Sequence, residues 1–122
     1  MEPLHWLFLG LAVFVVFSLV LKRLFQVSAQ KARELLDSGA LVIDVCSPRE
    51  FAPRHVKGAV NLPLDQIRRR IEKTEPNRDR PLLVYCHSGS RSALACRILT
   101  NLGYKEVHNL GSFSRASHIV QK

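Results

Sequence analysis

Six consecutive residues, Cys86-His87-Ser88-Gly89-Ser90-Arg91, hold the most chemistry in this chain. They follow the short apolar run Pro81-Leu82-Leu83-Val84-Tyr85 and lead into a stretch with apolar residues at helical spacing. A cysteine at the end of a buried strand, with a small-residue turn entering a helix, faces inward-pointing backbone N–H groups and the positive end of the helix dipole. With the Arg91 charge, these favour the thiolate, the nucleophilic form of the side chain. Gly89 lets the backbone curl around the sulfur, and Ser88 and Ser90 supply hydroxyl donors. A free cysteine is ordinarily a small buried hydrophobe. The loop and its arginine set Cys86 apart as an activated nucleophile able to form a covalent intermediate.

The other two cysteines lack such surroundings. Cys96 falls inside the following helix at a core position, whereas Cys46 ends the apolar run Leu41–Val45 and can approach the same pocket, where a redox role is the alternative to a structural one. Three widely spaced cysteines do not make a disulfide framework and point to a reducing compartment. No Cys/His grouping has zinc spacing, so neither a metal nor another cofactor is expected.

The elements that must position this loop are legible from periodicity. Ser28 caps a helix with Ala29, Ala32, Leu35 and Leu36 on one face, and Gly39 stops it. Leu41–Val45 and Pro81–Tyr85 are nearly continuous apolar runs, as in strands buried on both faces of a parallel sheet. Ser47-Pro48-Arg49-Glu50 reads as a cap and first helical turn, and Gly58–Leu62 as a short strand ended by Pro63. Asp65 opens a helix with Leu64, Ile67 and Ile71 inward and Arg68, Arg69 and Arg70 outward. Ser92 to Leu102 is the clearest helix, closed by Gly103; Glu106–Leu110 is a last strand and Phe113–Val120 a last helix. Alternating strands and helices predict an α/β fold with a parallel sheet of four or five strands, and chemistry at the strands' carboxyl ends.

Residues 1–24 differ in kind from residues 25–122. Leu4 to Leu21 is an eighteen-residue run in which His5 is the sole ionisable group. As a helix it spans roughly 27 Å, close to a hydrocarbon thickness of about 30 Å. Lys22 and Arg23 can snorkel at its end, and His5 and Trp6 sit where an interfacial anchor belongs. A cleaved leader is the competing reading, since Val27-Ser28-Ala29 suits cleavage; the leading Met-Glu-Pro carries no positive charge, and the run is long for a leader. The absence of a polar face disfavours a buried core helix. The expectation is a single-pass membrane anchor, and Lys22, Arg23, Lys31 and Arg33 after the span place the soluble domain, residues 25–122, on the cytoplasmic side. The net charge of +8 (Lys+Arg 18, Asp+Glu 10) falls mostly in that domain, yet aromatic residues are not interleaved with basic ones. A nucleic-acid partner is therefore not expected. The stretch Arg68, Arg69, Arg70, Lys73, Arg78 and Arg80 reads first as a solvated face, with anionic headgroups or an acidic partner as alternatives.

Residues 28 to about 120 resemble the rhodanese-like family, specifically its small single-domain sulfurtransferases. The resemblance rests on Ile43-Asp44-Val45 with Glu50-Phe51, on His55-Val56-Lys57-Gly58-Ala59-Val60-Asn61-Leu62-Pro63, on Val84 through Ala93, and on Leu102-Gly103-Tyr104 and Asn109-Leu110-Gly111. It implies a parallel five-stranded sheet flanked by helices, here preceded by one transmembrane helix. It also implies that Cys86 takes a sulfane sulfur as a persulfide and passes it to a thiol, a protein or cyanide. The loop amides from His87 to Arg91 would steady thiolate and persulfide, and Arg91 would orient a small anionic donor such as thiosulfate. Asp44 and His55 are implied as supports, Asp44 for the loop and His55 for the segment leading to Gly58. The chain departs from the family at Cys46 and Ser47, where an arginine is common, at Arg54 in place of glycine and at Lys57 in place of proline; near its end Ser112 replaces a second glycine and the customary tryptophan is absent.

Two other readings stand beside sulfur transfer. Cysteine-dependent phosphatases and arsenate reductases also use an anion-binding loop ending in arginine, but four residues separate Cys86 from Arg91, one fewer than that signature. The tighter loop leaves less room for a tetrahedral phosphate. A non-catalytic sulfur-carrier or regulatory module at the membrane is the remaining alternative, against which Cys86 and Arg91 are both retained.

Overall fold

The computed structural model describes residues 2–121. Of residues 22–24 it describes the backbone alone, so the snorkelling of Lys22 and Arg23 lies outside the described residues. The apolar run forms one helix, α1 (Pro3–Phe25), with Pro3 in the first turn, where a missing N–H costs nothing. By length and composition Pro3–Leu21 can cross a membrane, a test that a signal sequence also passes, and none of that window is buried against the rest of the protein.

Four parallel strands make the sheet: β1 (Leu41–Asp44), β2 (Val60–Asn61), β3 (Leu82–Cys86) and β4 (Val107–Ser112), in the order β2-β1-β3-β4. The expected fifth strand is absent among the described residues. The slot beside β4 is reached only by Val27, whose N–H donates to Asn109 O at 2.9 Å. The reason is length: α1 runs to Phe25 and Ser28 already caps the next helix, so only Gln26 and Val27 are left to extend. Between β3 and β4 the register slips, Val84 opposing Asn109 and Tyr85 opposing Gly111, so Leu110 is the inserted residue of a bulge.

Side chains alternate across the sheet and divide the core in two. Leu82, Val84 and Cys86 of β3 join Ile43 and Val45 against α4 (Ile67–Thr74) and α5 (Ser90–Asn101), contacting Ile67, Ile71, Ala95 and Leu99. Leu83 and Tyr85 face α2 (Ala29–Asp37) and α6 (Phe113–Val120), meeting Ala32, Leu35, Ala116 and Ile119. Ser28 and Ser112 cap α2 and α6 by accepting the N–H of Lys31 and Arg115, each at 3.2 Å. The remaining helix, α3 (Pro48–Phe51), opens with a reciprocal capping box between Ser47 and Glu50. Gln66 rather than Asp65 precedes α4, without a side-chain cap. Strand order reverses between β1 and β3, and in such a sheet the crevice at the carboxyl ends of those two strands is where ligands bind.

Candidate active site

Cys86 ends β3 and is fully buried. Its Sγ accepts the Gly89 N–H at 2.9 Å and the Ser92 N–H at 3.4 Å, while Ser92 Oγ lies 3.6 Å away as acceptor for the S–H. Two backbone donors converging on one sulfur suit negative charge there, because hydrogen bonds to a charged form stabilise it. They converge because α5 starts at Ser90, two residues earlier than periodicity indicated, so the first turn of the helix closes over the sulfur. Gly89 makes this start possible at φ +98°, where a Cβ would stand 3.4 Å from Gly111 C.

The hydroxyls do not act where the sequence put them. Ser88 Oγ and Ser90 Oγ are exposed and 3.2 Å from each other. Ser92, which sequence reasoning treated only as helix, is buried beside the sulfur, with its Oγ 2.7 Å from Asn109 Oδ1 and 2.9 Å from Gly89 O. Asn109 Oδ1 also accepts the Gly111 N–H at 2.8 Å. The bulged end of β4 thus braces the loop.

Arg91 points to Glu50. Its Nη1 and Nη2 donate to Oε1 and Oε2 at 2.7 and 2.9 Å, a bidentate pair. Glu50 is held for this by its own cap, with Oε1 accepting the Ser47 N–H at 3.0 Å. The Arg91 guanidinium, with help from the Ser47 N–H, holds the Glu50 carboxyl well below the usual carboxylate range, and Glu50 in turn raises Arg91 above its ordinary value. Glu50 entered the sequence reading as part of a motif with no role; the Ser47-to-Glu50 capping spacing was the signal that could have fixed its carboxylate in place.

A cavity of about 490 Å³ occupies the crevice between the ends of β1 and β3. Asp44, Cys46, Glu50, Arg54, His87 and Phe113 are among its walls. Arg54 Nη2 is 3.1 Å from His87 Nδ1, and its guanidinium carbon lies 4.4 Å above the Phe113 ring. Asp44 is buried and supports its own strand end, its Oδ1 accepting the Cys46 N–H at 2.8 Å. No bond runs from it to residues 87–91 among the described contacts. His55 is exposed, stacks on Phe51 at 3.8 Å and places Nδ1 2.7 Å from Phe51 O, tying the segment back to α3. All three cysteines are free. Burial, reinforced by the neighbouring Asp44, pushes the Cys46 thiol up to about 12, and burial, with Cys86 adding to it, does the same to Cys96. Neither is a nucleophile at neutral pH. Among the described residues no cluster of His, Cys, Asp or Glu is arranged to hold a metal ion.

A parallel α/β sheet thus carries a thiol at a strand end, under the first turn of a helix and beside a topological switch point. The rhodanese-like domain model matches residues 28–116, and the chain belongs to that family. Thiosulfate sulfurtransferase PspE of Escherichia coli is 39% identical over 69 residues, which cover 57% of this chain and 66% of that protein. Thiosulfate sulfurtransferase GlpE of Ectopseudomonas mendocina is 35% identical over 85 residues, covering 70% and 76%. Among solved structures, a rhodanese with anions from E. coli superposes with a TM-score of 0.61 at 35% identity, over 63% of this chain and 91% of that one. The human single-domain sulfurtransferase TSTD1 gives 0.65 at 26% identity, over 77% and 96%.

Proposed function

We propose that this chain is a rhodanese-type sulfurtransferase that moves a sulfane sulfur from thiosulfate or a thiol persulfide, through a Cys86 persulfide, to a thiol, protein or cyanide acceptor. The carrying observation is the Cys86 sulfur, met by the N–H groups of Gly89 and Ser92 at the start of α5. The Cys86 thiolate attacks the outer sulfur of thiosulfate, the S–S bond breaks, and sulfite leaves with its electron pair. An acceptor thiolate then takes the terminal sulfur and returns Cys86 as thiolate, a ping-pong sequence. The same donors serve the persulfide anion in both halves. Relatives bearing the name thiosulfate sulfurtransferase support the reaction class. A loop of only His87, Ser88 and Gly89 between strand and helix is cramped for a phosphate, which counts against a phosphatase.

The test is intact mass after incubation with thiosulfate. The full chain gains one sulfur atom and Cys86→Ser gains none, with sulfite release in the variant falling by about 10³-fold or more. A wild-type chain that gains no sulfur from thiosulfate or a thiol persulfide overturns the reading. A chain that loads but turns over no small acceptor is instead a sulfur carrier, the role in the name of Bacillus subtilis YrkF, a putative sulfur carrier protein 30% identical over 87 residues covering 46% of its length.

Residues 1–24 tether the enzyme to a membrane in this reading, with residues 25–122 on the cytoplasmic face. Support comes from the apolar length of α1 and from the Lys and Arg residues that follow it. Protease added to sealed cells spares the domain and digests it after the membrane is opened; digestion in cells with only the outer layer permeabilised reverses the topology.

A further inference from the structure

We propose that Arg54 receives the anionic portion of the sulfur donor and thereby sets which donors the site accepts, an inference that rests on the sulfurtransferase reading. Arg91, the cation that the loop motif offers for this task, is already paired with Glu50 through both its Nη atoms, so its charge is answered within the protein. Cys46, on the strand end across the crevice, brings no charge and keeps its proton. That leaves Arg54 as the one cationic side chain in the wall of the cavity among the described residues. No carboxylate lies within ion-pair distance of it among the described residues. Its position is defined nonetheless, by the face of Phe113 at 4.4 Å and by His87 Nδ1 at 3.1 Å. A planar guanidinium carries five N–H donors, and only one of them is used here.

His87 is the residue next to the nucleophile, so a group bound to Arg54 lies beside the strand end that bears Cys86. A planar fork of donors suits the oxygens of a sulfonate or carboxylate. For thiosulfate, Arg54 holds the oxygens that depart as sulfite while the outer sulfur turns to Cys86. The guanidinium contributes to binding and makes no bond to the sulfur transferred, so its loss appears in KM.

Steady-state sulfite release is measured on the full chain in detergent micelles across thiosulfate concentration, with cyanide at a fixed concentration as the sulfur acceptor. Arg54→Gln raises KM by about tenfold, the value of one charge-assisted hydrogen bond, with kcat within about twofold. Arg54→Lys, which keeps the charge and loses the planar fork, raises KM by about threefold, between wild type and Arg54→Gln. Arg49→Gln removes an exposed arginine of α3 outside the cavity wall and leaves KM unchanged. An unchanged KM in Arg54→Gln, with the wild type loading sulfur normally, overturns this inference alone. An equal rise in Arg49→Gln also overturns it, since general surface charge then accounts for the effect. A wild-type chain that loads no sulfur removes the sulfurtransferase reading itself.

Discussion

Two segments meet over the crevice, and they build their halves of it by opposite means. Residues 86–92 work through backbone: the donors to Cys86 are main-chain N–H groups placed by a strand end, a left-handed glycine and the first turn of α5. Residues 46–56 work through long side chains, with Glu50 reaching Arg91 41 residues away and Arg54 reaching His87 33 residues away. The backbone half is fixed wherever the local sequence forms the turn. The side-chain half exists only once the sheet has brought β1 and β3 together. On the proposed sulfurtransferase reading, the first governs whether the sulfur reacts, and the second governs what is brought to it.

The largest break in this contrast comes from Gly89→Ala. At φ +98° a Cβ costs about 1–2 kcal/mol, and at 3.4 Å from Gly111 it also pushes on the β4 bulge. Single-turnover persulfidation slows on the order of 10²-fold as the Gly89 N–H leaves the sulfur, and the denaturant midpoint falls with it. Glu50→Gln is milder and of opposite sign for binding. Removing a negative charge from the cavity wall lowers the thiosulfate KM by roughly threefold, read from initial rates. Because Glu50 has a depressed pKa, its ionised form and its pair with Arg91 are present above the ordinary carboxylate value and lost only as pH falls through the folded one. The ratio of wild-type to Glu50→Gln KM is therefore flat from about pH 5 to pH 9.

The smallest effect lies away from the crevice. His108 on β4 has a buried Nε2 with no partner among the described residues, and burial lowers its pKa despite nearby Glu106, with Lys31 acting in the same direction as burial. The folded chain then binds fewer protons there than the unfolded one, so stability is full above about pH 6.5 and declines as pH falls below it. Thermal melts of His108→Gln lose that slope, while sulfite release at neutral pH is unaltered.

The same contrast explains what the sequence disclosed. The strand-end cysteine, the glycine turn, the four strand segments and the cap serines are local signals, and each stands within a residue or two of its expected place. The start of α5 at Ser90 was missed because Ser90 and Arg91 interrupt the apolar stripe, although neither disturbs a first turn. Ser92 escaped notice because its role depends on Asn109, seventeen residues on. Arg54 registered only as a departure from glycine, and its meaning needed Phe113 and His87 to be adjacent in space. The fifth strand, absent among the described residues, gives way to chain length spent on α1, which the five-stranded pattern implied by the resemblance does not anticipate.

That shortage of chain has a mechanical side. Gln26 and Val27 are the entire span between α1 and Ser28, and neither is slack. Val27 N–H is bonded to Asn109, Arg115 clamps the carbonyls of Val27 and Leu110, and Gln26 lies against Gly111. Asn109 is the same residue that holds Ser92 beside the sulfur. Three hydrogen bonds in series, Val27–Asn109–Ser92–Cys86, connect the segment after the apolar helix to the Cys86 sulfur. The two residues between α1 and α2 are thus pinned to the strand end that holds Ser92 against the sulfur, with no longer linker between the apolar helix and the brace of the site.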